Sequence, residues 1–468
     1  MSVSKSTPKR RRVFARDPRT DQSLQHSVYD GMAVSAMAGG GETYFTAFAL
    51  YLRASAGQVA YLSTLPSLIG SLAQLLSVWL ALKLQHRKAV ILAGALCQAC
   101  IWLPLAALAV FPPAAAVPWL LLLFTLYHGA GHLTLPPWTS LMGDLVPARR
   151  RSRYFAYRTS RTNMVSFLAL VLAGCLLHVA DRLSYTWAGF GVIFLLSFAW
   201  RMISASHIRA MHEPAHHART TVLLPDVRVL AHTRALWFSG YFVLMQCAVA
   251  IASPFFAVYM LRDLQYSYFE FMVNTGTAVL MQFITLNRWG RIGDVFGNRL
   301  ILVVTGMLIP LLPALWVVSN NFWYLLLIQT CAGLAWGGFN LSSNNLLYEL
   351  IPPPQRTVYV AFHNVLATMG VFTGAMIGAA LLHVLPVRTT LFGHTDIATV
   401  LLNVFLVSTA IRMVISLCFL PMIRETGQAR RPMSARQFIY RVSGFNAFLG
   451  LVYDLVTDTP KKDRKPRR

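Results

Sequence analysis

One stretch of this chain occurs twice, and that repetition constrains the fold more than any other feature. Asp144, Pro147, Arg151, Tyr154 and Ala156 recur, 205 residues later and without a gap, as Glu349, Pro352, Arg356, Tyr359 and Ala361. Other pairs follow in the same order. Gln74 returns as Gln282, Leu52-Arg53 as Leu261-Arg262, and Ser197, Ala199, Arg201 and Met202 as Ser408, Ala410, Arg412 and Met413. Nearly constant offsets with small drifts are what duplication followed by loop insertions leaves behind. Each copy of the stretch ends one long apolar run and begins the next, so the duplicated unit is a bundle of apolar helices.

The runs lie at about 28–52, 58–82, 89–110, 117–142, 154–179, 185–208, 235–260, 267–288, 299–318, 322–349, 357–384 and 397–421. A membrane crossing needs about 20 mainly apolar residues. Hydrophobic residues make up 56% of the chain and charged residues 12%, roughly half the usual charged share of a soluble domain. The predicted fold is therefore an all-α membrane protein of twelve transmembrane helices in two pseudo-symmetric six-helix bundles. Its expected divisions are a basic tail (1–27), a first bundle (28–208), a linker (209–234), a second bundle (235–421) and a basic tail (422–468).

The net charge of +24 does not point to nucleic acid, because the basic residues lie between apolar runs. Only Arg53, Arg182, Arg262 and Arg388 fall in loops on one side, leaving 37 of the 41 lysines and arginines for the tails, the other loops and the helix ends near them. The positive-inside bias then puts both termini in the cytoplasm, in a bacterial inner membrane. No cleavable signal peptide is expected. All six cysteines fall within apolar runs, and Cys97-Gln-Ala-Cys100 reads as helix packing. His212, His216 and His217 lie in the linker without a set of ligands that closes a metal site, so neither metal nor cofactor is expected. In the last tail, Phe438, Val442, Phe445, Leu449, Val452 and Val456 form a stripe suited to the inner leaflet or to the protein itself.

Gly290, Asp294, Gly297 and Arg299 lie in the short connection after the eighth run, with Val295 and Asn298 at two positions that would be basic in a full signature. Together with two six-helix halves and a long central linker, this connection resembles the major facilitator superfamily over residues 28–421. The first-half counterpart, Trp79 to Lys88, keeps only Arg87 and Lys88, and Lys83 replaces the aspartate. The resemblance implies a secondary transporter working by alternating access, usually a monomer, with loop charges that latch the halves. On that basis the expected latch residues are Asp144 with Arg87 or Lys88, then Gly290, Asp294, Gly297 and Arg299, with Glu349 opposite Arg299. The alternative is a membrane scaffold or assembly factor that keeps the fold without transport. A membrane enzyme is disfavoured, since no catalytic set meets at one depth, and no Gly-Lys-Ser/Thr phosphate loop supports ATP drive.

The resemblance also places the solute path between the halves, near the bilayer midplane. Glu42, about 18 Å of helix rise beyond Asp30, is the foremost candidate, since a carboxylate at that depth marks a pathway or proton site. His128 and His132 share a helix face four residues apart. Trp336, Asn340 and Asn344 form a second polar face, and Gln246 and Gln282 are weaker candidates, with Pro254 expected to kink its helix. Arg201 and Arg412 are expected to be structural, their heads snorkelling to the cytoplasmic surface. With no arginine or lysine then left at the midplane, a neutral or cationic small solute is favoured, with protons exchanged at Glu42. The expected partners are that solute, protons and the bilayer.

Overall fold

The computed structural model describes residues 14–15, 17–84, 86–147, 151–214, 234–351, 356–386, 389–391, 395–397 and 399–423. The stripe in the last tail, His216 and His217 lie outside these residues. The first half consists of Pro18–Gly40 (α1), a 3₁₀ turn at Glu42–Tyr44, Phe45–Tyr51 (α2), Ala56–Leu84 (α3), Arg87–Val110 (α4), Ala116–Leu145 (α5), Arg151–Arg182 (α6) and Thr186–Ala210 (α7). The second half opens with Arg234–Ala250 (α8) and Phe255–Val258 (α9), which runs into a π-helical turn at Tyr259–Asp263. Tyr268–Phe296 (α10), Asn298–Leu308 (α11), Leu311–Leu315 (α12), Phe322–Leu350 (α13), Arg356–Val384 (α14) and Val400–Phe419 (α15) complete it. The strands Thr389–Leu391 (β1) and Thr395–Ile397 (β2) pair antiparallel in the connection before α15.

Among the described residues, nine helices are long and apolar enough to cross a membrane. The first, second and eighth runs are helical as well, consistent with twelve crossings. Large side chains such as Leu172, Val414 and Leu417 remain exposed on the bundle surface, as a lipid solvent allows.

Packing repeats with the sequence. In the first half α1 packs on α6 and α7, α3 on α5, and α4 on both α5 and α7. In the second half α8 packs on α14 and α15, α10 on α13, α11 on α13, and α12 on α15. These are the same five helix pairings, one set per half. The halves join along α3 with α14 and along α6 with α10. Further contacts between them gather at the end away from Pro18 and Met422. There Tyr44 meets Phe271 edge-on at 6.4 Å, Phe190 meets Tyr268 at 5.8 Å, and His178 lies 5.7 Å from Phe269.

The opening helix starts at Pro18, ten residues earlier than the boundary at 28. Asp17 caps it, accepting from the Thr20 amide at 2.9 Å and the Thr20 hydroxyl at 2.6 Å, with Pro18 pre-set for the first turn. Those hydrogen bonds hold the Asp17 carboxyl below the ordinary carboxylate range. Ser23, Leu24 and Ser27 are buried, so this turn belongs to the bundle.

Both halves break their first crossing at the same place. Gly41 ends α1 before the turn at Glu42–Tyr44, and 209 residues later Ile251 to Pro254 separate α8 from α9. Pro254 lacks the amide that would continue the ladder. Close approaches need glycine: a Cβ on Gly39 would strike the Ser166 backbone of α6, and one on Gly374 would strike the Cys247 carbonyl of α8. The shared crossing is tight in both halves, although different helices supply the glycine.

Candidate functional site

The break in the first crossing puts Glu42 beside α5. The Tyr127 hydroxyl donates to Glu42 Oε1, and Tyr127 itself is fully buried among Phe45, Phe124 and Trp102. Next to Tyr127 on α5, His128 and His132 lie one turn apart with ring centroids 6.1 Å from each other, and Gly70 of α3 leaves room for the His132 ring. Glu42, His128 and His132 all line one cavity of about 440 Å³, large enough for a small metabolite.

Asp30, Arg158 and Arg201 line the same cavity. Asp30 and Arg201 are 3% and 4% exposed. The Ser204 hydroxyl links them, accepting from Arg201 Nη1 at 2.8 Å and donating to Asp30 Oδ1 at 2.7 Å. Arg201 therefore points into the bundle, contrary to the expected snorkelling, because Ser204 and Asp30 offer it polar company away from the surface. Arg158 approaches Asp30 from α6 at 3.8 Å, donates to the Ser27 carbonyl at 3.2 Å and lies 4.4 Å over the Trp138 ring. Gln98 of α4 completes the polar lining. At the rim, His26 and His207 place their Nδ1 atoms 3.0 Å apart.

The second half keeps this geometry but loses its charge. At the position of Asp30 stands Ser239, and at the position of Arg158 stands His363; His363 Nδ1 lies 2.8 Å from Ser239 Oγ, which lies 3.0 Å from the Tyr359 hydroxyl. The partners of Arg412 differ as well. Its Nε and Nη2 donate to the Ala248 and Val249 carbonyls at 3.4 and 3.1 Å, in the last turn of α8, where the Ser408 hydroxyl also reaches the Ala248 carbonyl at 2.6 Å. A structural role fits Arg412, which is 3% exposed, but its head too stays inside rather than at the surface.

The remaining pathway candidates are not part of this cavity. Trp336 packs edge-on against Phe339 at 5.6 Å, Asn340 is half-buried and Asn344 exposed. The Gln246 Oε1 is buried without a partner among the described residues, and Gln282 lies beside Gly337.

The latch candidates form matched pairs, each inside one half. Arg87 Nη1 donates to Asp144 at 2.7 Å, and Lys88 Nζ donates to the Met211 carbonyl at 2.7 Å. In the second half the equivalent bond runs from Asn298 Nδ2 to Glu349 Oε1, also at 2.7 Å. Asn298, rather than the expected Arg299, is thus the described partner of Glu349. Gly297, at φ 89°, turns the chain so that the helix starts with Asn298 inward and Arg299 exposed. Gly290 lies on α10, and the side chain of Asp294 is outside the described residues.

Arg158 and Asp30 were detectable in the sequence through the repeat, which sets a charged pair against Ser239 and His363. The direction in which Arg201 points was not.

A family model described as Major Facilitator Superfamily matches residues 31–267 and 241–431. The low-affinity glucose transporter HXT1 of Saccharomyces cerevisiae is 31% identical over 85 residues, 18% of this chain, and the match spans only 15% of that protein. Among solved structures, the nucleoside transporter NupG superposes with a TM-score of 0.64 at 13% identity, covering 87% of this chain and 100% of that one. A bacterial homologue of the human lysosomal transporter Spinster, inward-facing and unoccupied, gives 0.60 at 12% identity, covering 88% and 100%. At such identities the likeness concerns the fold.

Proposed function

Because this chain belongs to the major facilitator superfamily, we propose that it is a proton-coupled secondary transporter of a small polar solute, working by alternating access between its two six-helix halves. The observation that carries this reading is Glu42, held by Tyr127 at a helix break on the wall of a polar cavity inside an apolar bundle. A carboxylate at that depth is costly unless it serves a pathway. The cavity lies toward the end that bears the termini, and the halves meet at the opposite end. With both termini in the cytoplasm of a bacterial cell, this is the inward-facing state of a monomer.

Pairs such as Arg87–Asp144 and Asn298–Glu349 stiffen the inner end of each half, so that the halves move as units. A solvent-exposed pair contributes little; here Asp144 is exposed, but Arg87 is 3% exposed and its amide also donates to Glu213 at 2.8 Å.

The solutes named for the relatives, glucose and nucleosides, set a starting panel to which small organic acids are added. Uptake into proteoliposomes with an acidic exterior should exceed uptake without a gradient for at least one member. If no member shows gradient-dependent flux while the protein remains folded, the scaffold reading replaces this one.

A further inference from the structure

Building on the transport reading, we propose that the solute carries a carboxylate or phosphate group, that Arg201 recognises it, and that Glu42 is protonated when it binds. Arg201 has five N–H donors. Among the described residues it makes one side-chain bond, to Ser204, its Nε is buried without an acceptor, and no carboxylate comes within ion-pair distance of it. Asp30 is reached only through Ser204. A buried guanidinium left this open is costly, and its planar fork matches an oxyanion presented with two oxygens.

The repeat supplies an internal control. Arg412 sits at the equivalent position and spends its Nε and one Nη on two backbone carbonyls. Duplication thus left one arginine bonded to the backbone of α8 and its twin with free donors on a cavity wall. Arg158, whose contact with Asp30 is as long as 3.8 Å, supplies a second cation on the same wall.

Charge then ties the anion to the proton. Facing Glu42 are Tyr127, His128 and His132 from α5 and Arg201 from α7, with Asp30 on α1, Arg158 on α6 and the uncharged Gln98 on α4. His26 and His207 stand beyond Asp30 at the rim. With Glu42 ionised and the imidazoles neutral, two guanidiniums balance two carboxylates. Protonating Glu42 leaves one positive charge in excess, which a monoanionic group neutralises. Solute anion and proton therefore enter together and leave together.

The test uses the purified full chain in detergent and matched probes: lactate with lactamide, gluconate with glucose, and glycerol 3-phosphate with glycerol. The thermal unfolding midpoint is followed at pH 5.5 and pH 8. At least one anionic probe should stabilise the protein at concentrations about tenfold below its neutral partner, and more strongly at pH 5.5. The carboxylate and phosphate probes identify which oxyanion is read. Arg201→Gln should abolish the anion effect and Arg201→Lys should restore part of it. Glu42→Gln, which needs no refitting of the buried arginine, should keep anion binding and, for lactate and gluconate, whose own charge is constant over this range, lose its pH dependence. Stabilisation by neutral partners alone or equally, by no oxyanion at either pH, or undiminished in Arg201→Gln would overturn the assignment. Gradient-driven flux of a neutral solute that survives Arg201→Gln would also remove it, while leaving transport through the cavity standing.

Discussion

Glu42→Gln should abolish proton-driven accumulation of solute while solute still equilibrates across the bilayer. Glutamine keeps the shape of the side chain, and its carbonyl can still accept from Tyr127. What it cannot do is take up and release a proton. A gradient of one pH unit is worth about 1.4 kcal/mol per proton, and so supports about tenfold accumulation for one proton per solute. In vesicles carrying the variant that ratio should fall to one, with exchange of solute for solute preserved. Accumulation at the wild-type ratio would move the proton to another group on the same wall, His128 or His132 being next in line.

Gly374→Val should disrupt the second half. A Cβ there would strike the Cys247 carbonyl, a backbone atom that cannot rotate aside, so α14 and α8 must part. Overpacking of this kind costs about 1–3 kcal/mol, which corresponds to several degrees in the unfolding midpoint of a bundle this size. Parting these helices also disturbs the break at Ile251 to Pro254 and the nearby Arg412 bonds to the α8 backbone. Gly240→Ala on α8 is the control, since a Cβ there meets nothing within 4 Å. Equal midpoints for the two variants would show that the close crossing is dispensable.

The doubling was legible in the chain because turn positions such as Pro147 with Pro352 and helix positions such as Tyr154 with Tyr359 and Ser197 with Ser408 keep their residue in both halves. The place of Glu42 on the cavity wall was legible because an acid within an apolar run has few structural explanations. The rest of the cavity was hidden for a rotational reason. Whether an arginine such as Arg201 faces lipid, headgroups or cavity depends on a few tens of degrees about the helix axis, which hydropathy does not encode. Its repeat equivalence with Arg412 also suggested one role for two residues whose partners differ. The start at Pro18 was missed because a polar first turn can be buried when hydrogen bonds such as that from the His212 amide to Ser23 Oγ, at 2.9 Å, satisfy it.

Alternating access requires two bundles to open at one end as they close at the other. Spin labels can report both ends: Gly143 with Arg299 near the ends that bear the termini, and Leu183 with Val318 at the opposite end, all four exposed and one of each pair on each half. Lowering the pH in the presence of a transported solute should shorten one distance and lengthen the other within the same population. Two distances that stay fixed, or move in the same sense, would contradict the alternating motion on which the proposed transport rests.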